Sequence, residues 1–297
     1  MNPPAVNPLV HEYTMTLPAT PERVFAALTD PAQLRAWFAE QVDVEPKVGG
    51  AYRFWGRYSY STPTRAEATQ TLTAFDPGRE LAYAWHFGGR DSTVTLSLAA
   101  KDDDAGSTVF KVRHEFAQAP QMVRAKEMVD DLWRLLVVNL HQYLATGKPA
   151  LLPDFTDPKP EIHLSILINA PREKVFRSLL DPELMNRWLG GKANVDPRIG
   201  GQLSYGWHYK VGEREVDGGP TRIIDMVENE RLVTDWPDWR GDPEVPPTTV
   251  TWLLASEGAQ TRLTLIHGVF PRAADMSDYP YGWLGFLDGL KGVAEAD

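Results

Sequence analysis

Two histidines stand where strand alternation turns a titratable ring toward the interior. His114 follows Phe110 and Val112 at two-residue spacing, and His267 follows Leu263 and Leu265 in the same way. Each therefore shares a face with apolar neighbours. An imidazole on such a face can orient a polar head group or move a proton, because its pKa lies near neutrality. It can equally be a core histidine bonded to a nearby backbone group. Aromatic residues supply the rest of the candidate surface. Phe54, Tyr58, Trp85, Phe110 and Trp133 fall on expected inward faces of the first half, and Tyr205, Trp207, Trp236, Trp252, Trp283 and Phe286 on those of the second. Together they describe apolar pockets with a few polar tips, the usual make-up of a small-molecule site. Aromatic strands also pack simply as core.

Other chemistries lack their residues. The chain has no Cys, which removes thiolate metal sites and cysteine nucleophiles. The remaining histidines (His11, His86, His141, His163, His208) are scattered singly, with no metal-ligand spacing among them. No Gly-x-Ser-x-Gly elbow occurs. Gly49-Gly50 and Gly200-Gly201 have neither a Walker lysine nor a dinucleotide fingerprint, and they read as strand-entry turns that need positive φ. No metal, cofactor or catalytic set is assigned, and the residues lean toward a binder while leaving an enzyme open.

The elements that must position these residues occur twice. Glu22-Arg23-Val24-Phe25 through Asp30-Pro31 recurs as Glu173-Lys174-Val175-Phe176 through Asp181-Pro182, an offset of 151 residues. The same offset relates Trp37 to Trp188, Gly49-Gly50 to Gly200-Gly201, Leu81 to Leu232 and Trp85 to Trp236. Later it drifts: Val94 matches Val250, His114 matches His267 and Trp133 matches Trp283. The chain is a tandem duplication. Each copy reads as a strand, two short helices, a meander of strands and a final helix. Asp30-Pro31 has the chemistry of an N-cap followed by the first helical position. Tyr52, Phe54, Tyr58 and Tyr60 are expected on one side of a strand. Gln121 to Thr146 carries the apolar spacing of an amphipathic helix, and Gly147 should stop it. The boundaries follow: domain one over 8–148, a Pro-rich linker over 149–160 and domain two over 161–297. Each half, cut near Pro153, should fold alone, and the two should pack as a pseudo-dimer in a monomer or homodimer.

Composition bounds the partners. A net charge of -10, split as -2 for residues 1–150 and -8 for 151–297, argues against a nucleic-acid surface. No run of about 18 apolar residues is present to span a membrane, and Met1 to Val10 lacks the features of a signal peptide. A cytoplasmic protein is expected.

The order Glu-x-Val-Phe, Asp-Pro, Trp, Gly-Gly, Leu-x-x-x-Trp, a Thr-rich strand ending in His, and a Trp-containing last helix resembles the START-like helix-grip superfamily. Within it, the chain is most similar to the branch called activator of Hsp90 ATPase homologue 1-like. The resemblance covers both halves. It implies an α+β fold of two tandem helix-grip domains, each a curved antiparallel sheet wrapped around a long C-terminal helix. It further implies a hydrophobic or amphipathic small molecule bound in the helix–sheet cavity. A cyclase- or hydrolase-type enzyme using that cavity, and a chaperone-interaction module with a place in stress response, are its alternatives. The second cavity is expected to be the better site. Gly282, Gly285, Gly289 and Gly292 leave either room or close packing along its last helix, and a Pro237–Pro247 loop holding Trp239 offers a lid.

Overall fold

A computed structural model describes residues 7–296. The chain divides into two compact units. One runs to Pro158 and includes Arg272–Tyr281; the other holds Lys159–Pro271 and the chain from Gly282 onward.

The first unit contains β1 (Leu9–Leu17), α1 (Pro21–Thr29), α2 (Pro31–Trp37), β2 (Gln41–Val44), β3 (Tyr52–Trp55), β4 (Thr71–Asp76), β5 (Glu80–Phe87), β6 (Arg90–Lys101), β7 (Asp104–Phe116) and α3 (Ala125–Thr146). Its main sheet has the antiparallel order β1-β7-β6-β5-β4, with β2 and β3 paired separately. Capping fixes the helix pair. The Thr20 side chain accepts from Arg23 N at the start of α1, and the Asp30 carboxylate accepts from Ala32 N and Gln33 N at the start of α2. The Trp37 indole then donates to Ala27 O at 3.0 Å and ties α2 back to α1. One face of α3, including Met128, Leu132, Trp133, Leu136 and Leu140, is buried with the inner side chains of the sheet.

Two local expectations change. The final helix begins at Ala125 rather than Gln121, because Arg124 takes a left-handed φ of 56°. It stops at Gly147, φ 80°, as its sequence requires. Tyr58 and Tyr60 do not continue the Tyr52–Phe54 strand. The chain leaves β3 after Trp55 at Gly56, φ 95°, and the turn is held by Gly56 N on Pro63 O and by Arg57 N on the Glu40 carboxylate. The Gly-Gly turn before β3 is as expected. Gly49 has φ 79°, and a Cβ on Gly50 would lie 2.2 Å from Glu45 O.

Two further segments complete the first unit. In the Pro-rich stretch, Leu151 exchanges hydrogen bonds with the Asn139 side chain at 3.0 and 2.6 Å, and Phe155 N donates to Arg57 O. Arg272–Tyr281 includes a 3-10 turn at Ala273–Met276, with Ala274 buried in the first core. Asp278 pairs with Arg134 of α3 at 3.3 Å, and Arg272 forks onto Asp275.

The second unit repeats the plan with β8 (Ile162–Ile168), α4 (Arg172–Ser178), α5 (Pro182–Leu189), β9 (Asn194–Val195), β10 (Leu203–Ser204), β11 (Trp207–Val211), β12 (Arg214–Gly218), β13 (Ile223–Val227), β14 (Arg231–Trp236), β15 (Thr248–Glu257) and β16 (Gln260–Gly268). Its sheet has the order β13-β14-β15-β16-β8, and α6 (Tyr279–Glu295) supplies the closing helix. Trp188 donates to Ser178 O at 3.0 Å, reproducing the Trp37 tie. The copies diverge after β10, where β11 and β12 form a hairpin in place of the first unit's turns. The 237–247 loop lies on that hairpin: Tyr209 donates to Trp239 O, and Gly241 abuts Val216. Of the α6 glycines, Gly285 and Gly292 face solvent, and only Gly289 makes a close approach, with its Cβ position 3.3 Å from Trp188 Cβ.

Candidate functional site

In both units the strand-end histidine is the centre of a hydrogen-bonded relay. Trp133 on α3 donates its indole N–H to His114 Nδ1 at 3.1 Å. His114 Nε2 lies 2.9 Å from Ser92 Oγ, and the Ser92 hydroxyl reaches Trp85 O at 2.7 Å. The order of donors follows from the ends. An indole N–H only donates and a carbonyl only accepts, so Nδ1 carries the lone pair and Nε2 the proton. The second unit repeats every member at equivalent positions. Trp283 donates to His267 Nδ1 at 3.0 Å, Nε2 meets Thr248 Oγ1 at 2.9 Å, and Thr248 reaches Trp236 O at 3.2 Å.

The relay keeps both imidazoles neutral. Burial pushes His114 down to about 3, with His11 adding a smaller repulsion, and burial alone pushes His267 down to about 3. A second ring proton would also point at the indole N–H. Neither ring has a nitrogen left for a ligand while its tryptophan is in place. The relay is a brace between the closing helix and the sheet, and burial disfavours the charged form of either ring.

The surrounding rings differ. In the first unit Phe54, Trp85, His114 and Trp133 form a continuous layer, with Trp85 stacked on His114 at 5.5 Å and Phe54 edge-on to Trp85 at 5.3 Å. Phe110 is buried on the same sheet face. Tyr58 lies apart from this group in the turn after β3, under the Arg57 guanidinium at 4.8 Å. Beside the layer is an apolar void of about 20 Å³, room for about one water molecule. Its wall comes from all three parts of the grip: Leu34 and Trp37 of the helix pair, Tyr83 and Phe110 of the sheet, Trp133 and Leu136 of α3. Tyr52 also lines it, but its hydroxyl is committed to Leu28 O at 2.8 Å. The Tyr83 hydroxyl has no hydrogen-bond partner among the described residues, and burial holds it well above the usual phenol range.

Tyr83, like Trp37, Phe38 and Leu96, is a wall residue outside the candidates named from the sequence. It alternates with Leu81, Trp85 and Phe87 along β5, so the two-residue period was the signal.

The second unit brings all its candidates together and closes on them. Trp283 has Trp236, Trp252, His267 and Phe286 at 4.9, 5.7, 5.8 and 5.9 Å. Trp207 stacks on Phe286 at 5.1 Å and donates to Leu189 O, while Tyr205 meets Trp207 and Trp236 edge-on. Two polar atoms are sealed in without partners, Thr234 Oγ1 and Trp252 Nε1. The void described above lies beside the relay of the first unit. Among the described residues, no group of three or more His, Asp or Glu is arranged to hold a metal ion. No helix there is long and apolar enough to cross a membrane.

Comparison with known proteins gives the family. The model of the Activator of Hsp90 ATPase homolog 1-like protein family matches twice, over residues 18–145 and 169–295. No curated protein matches significantly. Among solved structures, the protein is similar to DynU16, from the dynemicin biosynthetic locus, at 17% identity over 96% of this chain and 98% of that one, TM-score 0.39. It is similar to Aha1 of Colwellia psychrerythraea, solved as a dimer, at 19% identity over 46% of this chain and 97% of that one, TM-score 0.38. Protein CV1439 of Chromobacterium violaceum is 25% identical over 46% of this chain and 98% of that one, TM-score 0.37. The two matched segments together span most of the chain, which therefore belongs to the Activator of Hsp90 ATPase homolog 1-like family, in tandem.

Proposed function

We propose that the first unit binds a small, mainly apolar molecule in its grip, and that the second unit is a filled copy of the same frame. One observation carries this: helix pair, sheet and closing helix of the first unit converge on an apolar void whose wall holds an unpartnered Tyr83 hydroxyl. Ligand pockets usually enclose about 300 Å³ or more, so the resting void admits a guest only if a wall moves. The grip is a site that opens for its ligand, and the protein is a binder with no catalytic group placed at the void.

A second reading rests on the closed second unit. A filled grip offers surfaces rather than a cavity, which suits docking to a protein, and the chaperone in the family's name is the partner class to try.

The binding reading is tested by calorimetric titration of the full chain with toluene. Saturable binding to the native protein, lost in Leu96→Phe, supports it, because the substitution extends a wall side chain into the void. Absence of binding, or equal binding by the variant, overturns it.

A further inference from the structure

We infer that the ligand of the first grip takes the place of Trp133 at His114, and is a flat aromatic molecule carrying one hydrogen-bond donor, N–H or O–H. The inference rests on the binding reading above and names its ligand class. Ser92 gives its proton to Trp85 O and so must accept from His114 Nε2, which leaves Nδ1 as a bare acceptor facing α3. The donor to that acceptor is the indole of Trp133.

The indole is also part of the void wall. With room for about one water, a ring-sized guest cannot enter while every wall side chain stays in place. Of the other bulky polar-tipped walls, Trp37 is held by Ala27 O and Tyr52 by Leu28 O, while Tyr83 is packed within the sheet layer against the rings of Tyr52, Phe54 and Trp85. Trp133 is the polar-tipped wall side chain of the closing helix, beside the aliphatic Leu136, Val137 and Leu140, and its displacement breaks one hydrogen bond. That movement strands His114 Nδ1, a fully buried acceptor, and a buried unpaired polar atom costs about 1–3 kcal/mol. A hydrocarbon guest leaves that penalty standing. A guest with an N–H or O–H where the indole nitrogen was removes it.

His114 thus acts as a specificity-determining residue without being free in the resting protein. His267 has the same relay but not the same opportunity, since Trp283 is ringed by Trp236, Trp252 and Phe286.

The test uses probes that differ only in the donor. The full chain is titrated calorimetrically with indole and with indene, its hydrocarbon counterpart of nearly the same shape. Indole is expected to bind about tenfold more tightly, the equivalent of one buried hydrogen bond. In His114→Phe the two affinities should become equal. Trp133→Phe, which keeps the acceptor and enlarges the void, should bind both probes more tightly and retain the preference for indole; this variant decides the matter if His114→Phe does not fold. Equal binding of indole and indene by the native protein, or a preference that survives in His114→Phe, overturns the inference while leaving the binding reading intact. Failure of both probes to bind where toluene binds overturns the inference alone; failure of all three overturns the binding reading itself.

Discussion

The two units hold the same brace and fill it differently. Trp-to-His distances of 3.1 and 3.0 Å and His-to-hydroxyl distances of 2.9 Å in both show a frame kept through duplication. Inside that frame the side chains have been rewritten at matched registers. Leu96, paired with Leu81, corresponds to Trp252, paired with Leu232; Tyr83, paired with Val94, corresponds to Thr234, paired with Val250. The first unit is left with a void and an unpartnered hydroxyl in its wall, and the second with a packed set of tryptophans. Frame and filling are separable: the relay sets where the closing helix sits, and bulk on the inner sheet face decides whether anything else fits.

The largest effect expected is on stability. Trp283→Ala removes a ring packed on four sides and should destabilise by about 3–5 kcal/mol. Trp133→Ala should cost less, because that ring borders space already open. Denaturant melts of both variants compare them, and an equal or larger loss for Trp133 breaks the distinction between the units.

Acid should act on both units alike. Each relay histidine has its folded pKa depressed to about 3, while an unfolded histidine titrates near 6.5. Between those values the unfolded chain holds the extra proton, so stability rises with pH. As pH falls from about 6 toward 3, each ring should remove about 1.4 kcal/mol per pH unit. Urea melts at several pH values, compared with His114→Gln and His267→Gln, isolate this slope. A slope unchanged in either variant means that ring is not buried neutral.

Hydroxyl substitutions sharpen the comparison. Thr248→Val leaves His267 Nε2–H unpaired and should destabilise by about 1–3 kcal/mol. Thr234→Val removes a hydroxyl that is buried without a partner, so it should be neutral or mildly stabilising. If the two variants melt alike, the relay has no energetic weight. The smallest effect lies in α6. Gly285→Ala should stabilise by up to about 1 kcal/mol, since the added methyl meets nothing. Gly289→Ala should give no such gain, because its methyl would press on Trp188.

Much of the frame was legible in the residues. The duplication, the Asp30-Pro31 and Asp181-Pro182 helix starts, the stop at Gly147 and the inward parity of His114 and His267 all follow from local chemistry or fixed spacing. The relay had a visible signal too, since each of its members recurs, but pairing Trp133 with His114 needs the rotation of α3 over the sheet, which no local pattern fixes. Tyr58 was misplaced because Gly56 ends the strand through a long-range contact with Glu40. Likewise, the docking of Leu151 on Asn139 and the place of Arg272–Tyr281 in the first unit depend on contacts between distant segments. The position of the void was the least legible feature, because it is a small difference between summed side-chain volumes across three layers.

The central claim, one frame that takes its ligand in the first unit, is tested most directly by following the tryptophan side-chain N–H signals by NMR while toluene is titrated into the full chain. The Trp133 signal should shift saturably and the Trp283 signal should stay in place. A saturable shift at Trp283 with Trp133 unmoved would contradict the account.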